Sequence, residues 1–307
     1  MIRIIFILTL CLSSSVHARD WYVDNVMGDD RWDGSRQPGM PESRGPVRRI
    51  QTALRRATPG DRIVLVKNDE PYRECISLVG NRHSGTVFQP FIIEGNNAIL
   101  DGSQPTGEFD WQSLGGDLYR LPLSESATQL LFLDGIPALR APTLGPLRQE
   151  KDLPPRAWRL ETGALVFRAE RNRLPTDYKP SIARHPTGIT LYKVNDVILR
   201  DVIVQGYQID GIQAHDAGTY QPVVIAGCTA RGNGRSGIAV VGASAVAIDG
   251  CLVGDNGESQ LFVSGPADSS VTNSRLLDNT GPMARVIGGG VIKIDGLPYK
   301  PNGKAQE

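Results

Sequence analysis

The chain has 307 residues, with 33 Lys and Arg balanced by 33 Asp and Glu, so its formal net charge is zero. No excess of one sign exists to attract nucleic acid or a charged membrane surface, and neither is expected as a partner. The length is ample for a sizeable core in one domain.

The first 18 residues carry one cation, Arg3, then an apolar run from Ile4 to Leu12, then Val16-His17-Ala18. This reads as a secretory signal peptide cleaved near Ala18, because the run is too short to cross a bilayer and small residues stand at its end. Bulky Leu10 before Cys11 argues against a lipoprotein cysteine. Cleavage removes only Arg3 from the charge count, leaving 32 cations against 33 anions. The mature protein, 19–307, is expected outside the cytoplasm, extracellular or periplasmic, with no membrane span; its oligomeric state is not legible.

A cap is predicted over 19–60. It opens with a short strand, Asp20 to Asp24, and a loop rich in Gly, Asp and Arg up to Pro46. Val47, Ile50, Leu54 and Ala57 then share one face of a helix that Pro59-Gly60 ends. The opposite face carries Arg48, Arg49, Arg55 and Arg56, which reads as a solvated surface. Such a helix would cover the open strand edge and apolar interior at the end of a solenoid. The loop's Asp24, Asp29, Asp30 and Asp33 are oxygen ligands of the kind calcium takes. Their spacing lacks the alternating acids of an EF-hand loop, and a solvated Asp-rich turn is the plainer reading. No other cofactor or metal is implied.

Strand-like runs follow at Arg62 to Val66, Cys75 to Leu78, Phe91 to Glu94 and Ala98 to Gly102. Between about 103 and 185 the register is lost, and the runs Leu130 to Gly135 and Ala164 to Arg168 suggest inserted antiparallel hairpins. Insertions in repeat proteins gather on one face, often the binding one. Trp111, Tyr119 and Trp158 are either a sugar-stacking platform or, more commonly, hairpin core.

The last third carries the strongest signal. Ile225, Ile248, Val271 and Ile294 follow one another at a spacing of 23, each opening a pattern of apolar residue, any residue, Gly or Asn. Ile189, Ile212, Ile238 and Leu261 form a second ladder at spacings of 23, 26 and 23. Two ladders in step at this period predict an all-β solenoid with two strand positions per turn. Cys228 and Cys251, one period apart, should be stacked neighbours roughly 5 Å apart. A disulfide is sterically conceivable there, while an inward ladder of small thiols is the plainer reading. With Cys75 the mature count is odd, so one thiol at least is free.

Trp21-Tyr22-Val23, the loop from Gly28-Asp29-Asp30 to Asp33-Gly34, Ile50-Gln51-Thr52-Ala53-Leu54, Pro59-Gly60-Asp61 and Pro71-Tyr72-Arg73-Glu74 resemble the opening of secreted proteins of the pectate-lyase-like superfamily. The resemblance implies a right-handed parallel β-helix with three sheets around an apolar core. It implies a polysaccharide as substrate or ligand, without choosing among lyases, glycoside hydrolases, epimerases, adhesins and non-catalytic proteins.

Strand alternation predicts what faces out. If Ile189, Leu191, Ile212 and Ala214 point inward, Tyr192 and His215 point outward as vertical neighbours, with Lys193 over Asp216 at the turn. A phenol, imidazole, ammonium and carboxylate so placed can support acid and base chemistry on a uronate, the cation holding the charge that develops. The alternative is a polar surface with a weak exposed Lys193–Asp216 ion pair. The next rungs, Val241-Gly242 and Ser264-Gly265, are chemically quiet.

Tyr207-Gln208-Ile209-Asp210-Gly211-Ile212 partly resembles the Tyr-Gly-Phe-Asp-Pro-His motif of alginate C5-epimerases, with Ile212 where that family has histidine. Asp210-Gly211 also resembles the Asn-Thr-Asp-Gly element of polygalacturonases, with Arg235-Ser236-Gly237 where an Asp-Asp pair would follow. Asp-Gly is also ordinary turn chemistry. Hydrolysis generally needs two acids across the bond, here Asp210 and Asp216 or a partner from Glu108, Asp110, Asp117 and Asp134. The expected site is therefore Tyr192, Lys193, Asp210, His215 and Asp216, acting as a lyase or C5-epimerase on an acidic polysaccharide. A non-catalytic glycan-binding protein and a glycoside hydrolase are the alternatives.

Overall fold

A computed structural model describes residues 18–36, 43–123, 129–141 and 153–300; the expected leader, Cys11 included, lies outside the described residues except for Ala18. Both ladders pair as their spacing requires. Ile225, Ile248, Val271 and Ile294 are successive parallel partners, as are Ile189, Ile212, Ile238 and Leu261.

The first sheet runs through Asp20–Val23, Arg62–Leu65, the opening of Phe91–Asp101 and of Val197–Gln205, then Val223–Ala226, Ala245–Asp249, Asp268–Thr272 and Val291–Ile294. The second takes the later halves of the two long strands, with Thr229–Arg231, Leu252–Gly254 and Arg275–Leu276. The third stacks Ile76–Val79, Ile189–Tyr192, Asp210–His215, Ser236–Val241, Ser259–Ser264 and Ala284–Ile287. Each coil thus has three strand positions, one more than the two ladders revealed.

The first corner explains the Gly or Asn of the repeat. Asp201, Gly227, Gly250 and Asn273 hold left-handed φ values of 50°, 62°, 60° and 49° at the bend between first and second sheets. Gly and Asn are the residues that tolerate this region best.

One apolar core runs the length of the coil, from Trp21 and Ile50 through Ile93, Leu199 and Ile225 to Ile292. Cys228 and Cys251 are free thiols in this core, stacked as the thiol ladder predicts. The hydrogen bond to Cys251, together with burial, pushes the Cys228 thiol well up.

The capping helix is shorter than its apolar pattern, Ile50–Arg56, because Val47 pairs beside Val23 instead of entering the helix. Glu74 supplies its N-terminal partners, accepting from the Ile50 and Gln51 N–H groups at 2.9 and 3.1 Å. The arginine face is not simply solvated. Arg48 donates to the Gly28 carbonyl, Arg49 pairs with Asp30 at 3.4 Å, and Arg56 donates to the Asp30 and Trp32 carbonyls. The helix is thereby stapled to the N-terminal loop.

The insertion interrupts a coil between its second strand, ending at Asp101, and its third, starting at Ile189. Its two ends meet where the Arg184 and His185 N–H groups both donate to the Gly102 carbonyl. It forms antiparallel pairs, Ala157–Glu161 with Ala164–Arg168 and Leu131–Leu133 with Ile136–Pro137, around a separate core of Phe132, Trp158, Phe167 and Tyr178.

Candidate functional site

The exit end of the third sheet brings four of the five expected residues together. Ile189 and Leu191 point into the core, so Tyr192 emerges, 39% exposed, directly beside His215 in the next coil. Their ring centroids lie 5.5 Å apart at 48°. Lys193 turns the chain away at φ 54°, which carries its Nζ back to 5.2 Å from the Tyr192 ring centre, within cation–π range. Asp216 occupies the same corner one coil on, at φ 49°. Its Oδ2 lies 3.9 Å from His215 Nε2 and its Oδ1 accepts the Ala243 N–H at 2.9 Å. The Lys193–Asp216 ion pair expected from register does not form, because each side chain turns to a nearer partner on its own coil or the next.

This corner is unusual along its own ladder. Gly242, Gly265 and Gly288 fill the following three coils at φ 67°, 78° and 69°. Lys193 and Asp216 hold the same left-handed bend at a cost glycine does not have, of order 1 kcal/mol for a side chain such as lysine. Gly242 also makes room: a Cβ there would stand 2.2 Å from Asp216 Oδ1.

Two exposed aromatics that sequence reasoning missed stand on loops tied to this corner. Phe88, 98% exposed, tips the Thr86–Gln89 turn, and Tyr220, 85% exposed, tips the loop after Asp216. Asn195 ties both loops to the bend of Lys193, accepting from Gly85 N–H through its carbonyl and from Tyr220 N–H through Oδ1, each at 3.1 Å. Neither position belongs to a repeating ladder, so periodicity has no means of marking them.

Asp210 does not join this group. It begins the strand that His215 ends, roughly 16 Å away at the rise of a β-strand. Its carboxylate is fully buried and saturated: Arg235 donates to it from Nε at 2.9 Å and Nη2 at 2.5 Å, Ser236 Oγ at 2.6 Å and Gln213 Nε2 at 3.2 Å. Arg235 stacks on Phe262 with its Cζ 5.0 Å from the ring centre. The signal for this partner was present, since Asp210 and Ser236 are register neighbours. Tyr207 is likewise buried, its hydroxyl donating to the Glu74 carbonyl at 2.6 Å.

The insertion attaches at the entrance end of the third sheet, packing Phe132 and Pro137 close to Gly232. It therefore adjoins Asp210 and not the Tyr192–His215 cluster. Trp158 is core, and Trp111 packs on Phe167 while donating to Thr106 Oγ1.

The N-terminal aspartates are each engaged by protein donors. Asp24 accepts from the Val26 and Met27 N–H groups, Asp29 from Arg31, Asp30 from the Arg48 and Arg49 N–H groups, and Asp33 from the Ser35 and Gly45 N–H groups. These residues fit loop bracing better than a calcium site, and no group of three or more His, Cys, Asp or Glu among the described residues is arranged to hold a metal ion. No helix among the described residues is long and apolar enough to cross a membrane.

A model of the right-handed β-helix region matches residues 185–295. The chain is a right-handed parallel β-helix. No curated protein sequence matches it. Among solved structures, a protein described as a glycoside hydrolase shares this β-helix at a TM-score of 0.59 and 12% identity, covering 84% of this chain and 73% of that one. Pectate lyase Pel9A is similar at a TM-score of 0.45 and 10% identity over 91% of this chain and 63% of its own. A complex of XylC with xylose follows at 0.42 and 12%, over 90% and 69%.

Proposed function

We propose that this β-helix is an exported protein that acts on an acidic polysaccharide by abstracting the proton beside a uronate carboxylate, as a lyase or C5-epimerase does. The observation that carries this reading is the stacking of Tyr192 on His215 with the Lys193 ammonium above the phenol, on an exposed corner where Lys193 and Asp216 keep a left-handed bend.

In this reading Lys193 pairs with the substrate carboxylate and holds the negative charge that develops when the adjacent C–H bond breaks. His215 takes that proton, with the Asp216 carboxylate 3.9 Å from its Nε2. Tyr192 donates its hydroxyl proton to the departing glycosidic oxygen as the C–O bond breaks and the C=C bond forms. Elimination consumes no water, and return of a proton to the opposite face of the same carbanion gives the epimer instead. Phe88 and Tyr220 present ring faces for sugars on either side. The similarity to a glycoside hydrolase concerns the fold, and the burial of Asp210 under Arg235 takes away one of the two acids expected for a hydrolytic pair, which disfavours that mechanism.

The test is to incubate the purified protein with polygalacturonate, alginate, glycosaminoglycans and xylan, following unsaturated-uronate absorbance, reducing ends and solvent hydrogen exchange at C5. Turnover that falls by about 100-fold or more in His215→Ala supports the assignment. Silence on every acidic polymer, or full turnover in His215→Ala, removes it.

A second reading, a non-catalytic glycan-binding β-helix, is favoured by one observation. The 3.9 Å separation of His215 and Asp216 is too long for a hydrogen bond that would orient the imidazole. Saturable binding of an acidic oligosaccharide without product would select it.

A further inference from the structure

On the outer surface of the first sheet, away from the third-sheet corner, lies a groove of about 520 Å³ lined by Tyr22, Arg36, Arg62, Val64, Lys67 and Glu94, among others. Its volume is within the range of small-ligand sites. Register explains its shape: Val64 pairs between Tyr22 on one side and Glu94 on the other, so a small side chain forms the floor between two larger walls.

The charges around it divide into two kinds. Arg62 is held by Asp20 through Nε at 2.9 Å and Nη2 at 2.6 Å, and Glu94 is held by Arg200 at 3.2 Å. Arg36 and Lys67 are exposed and make no ion pair or side-chain hydrogen bond among the described residues. Among the described residues, then, two cations without an ion-pair partner border a groove whose other charges, on Arg62 and Glu94, are matched. Tyr22 adds an aromatic face, with its hydroxyl 3.4 Å from Asp20 Oδ2.

The geometry points to this groove as a binding site for a carboxylated sugar, separate from the third-sheet cluster. Arg36 and Lys67 pair with the carboxylates, Tyr22 stacks on the sugar ring, and Glu94 accepts from a hydroxyl group. Two flexible cations on an open surface recognise charge, and the aromatic wall selects a ring that carries it over a bare anion. Neither Arg36 nor Lys67 supports the core, so both are removable without disturbing the coil.

The test is calorimetric titration of the full chain carrying Tyr192→Ala, Lys193→Ala and His215→Ala, which disables the third-sheet cluster, with oligogalacturonate and with oligoalginate. One saturable site that weakens with added salt is expected for at least one of them. Adding Arg36→Ala and Lys67→Ala should lower its affinity about tenfold, equivalent to about 1.4 kcal/mol, with an unchanged unfolding temperature. No saturable binding of either oligomer, equal affinity after the two substitutions, or equally tight binding of xylo-oligosaccharide or inorganic phosphate overturns the proposal. Because the titration needs no turnover, its result is independent of whether the third-sheet corner is catalytic.

Discussion

Asp210 offers the sharpest separation of structural from chemical roles, because its carboxylate is fully buried yet surrounded by donors. Asp210→Ala strands Ser236 Oγ, whose residue is also fully buried, and an unsatisfied buried hydroxyl costs about 1–3 kcal/mol. It also removes the bidentate partner of Arg235, whose side chain is 27% exposed and so recovers part of its loss from water. Against this stands the desolvation of Asp210 that the variant no longer suffers. The net loss should be about 3 kcal/mol, the low end for breaking a buried pair. At about 2 °C per kcal/mol for a chain of this size, the unfolding midpoint should fall by about 6 °C. Arg235→Ala should be worse, since it leaves a buried carboxylate short of its cation. Circular dichroism melts of both single variants and the double variant give the coupling directly. If Asp210→Ala melts with the parent protein while losing turnover or glycan affinity, the carboxylate is functional and its assignment as a brace is wrong.

Three further outcomes follow from particular contacts. His83 is buried and neutral by geometry, its Nδ1 accepting the Val79 N–H and its Nε2 meeting the Leu54 carbonyl, each at 3.0 Å, and burial holds its pKa below the ordinary 6.5. A depressed folded-state pKa means stability that is present above about 6.5 and lost as pH falls through the folded value; urea midpoints should decline with acid, and a His83→Asn variant with the same slope refutes the assignment. At the first corner Gly250→Asn should be nearly neutral in a urea melt, since Asn273 holds the same bend and a Cβ at Gly250 meets nothing nearer than 3.8 Å. Gly250→Val should cost about 1–2 kcal/mol, and equal midpoints for the two variants would show that the corner is not left-handed. Lys193→Gly should stay within about 1 kcal/mol of the parent, relief of the left-handed bend offsetting the lost ring contact, while turnover or glycan affinity falls steeply; unchanged function removes Lys193 from the site.

The fold was legible because a solenoid repeats its own test. An apolar residue at Ile225 predicts one at Ile248, and each success fixes the register of the next strand. The strands of the second sheet escaped the ladders because most are short, three residues at Thr229–Arg231 and Leu252–Gly254, and two at Arg275–Leu276. A run that short carries too few alternations to stand out. The basic helix face is exposed as expected, and its contacts to the loop escaped for a different reason. Arg48 and Arg56 find backbone carbonyls in a loop about 20 residues earlier, at Gly28 and Asp30, and such contacts leave no local pattern.

For the site, the period was reliable across coils and silent along them. It stacked Tyr192 on His215 correctly, whereas Asp210 was added from a partial motif resemblance, and the six residues of its strand hold it farther from His215 than a side chain can reach. Nor can a period reveal which corner an insertion leaves from, and here it leaves from the entrance of the third sheet, beside Asp210. What does mark the exit corner is the change of residue type down a single backbone position: Lys193 and Asp216, then Gly242, Gly265 and Gly288. Glycine suits that bend at no steric cost, so the two coils that forgo it are the two that carry Tyr192 and His215. A coil selected for stability alone gains nothing from lysine there. The corner is therefore where this β-helix gives up a little conformational ease for an exposed cation beside an aromatic pair, and that trade is the physical reason to look for its chemistry at this corner and not at the buried carboxylate.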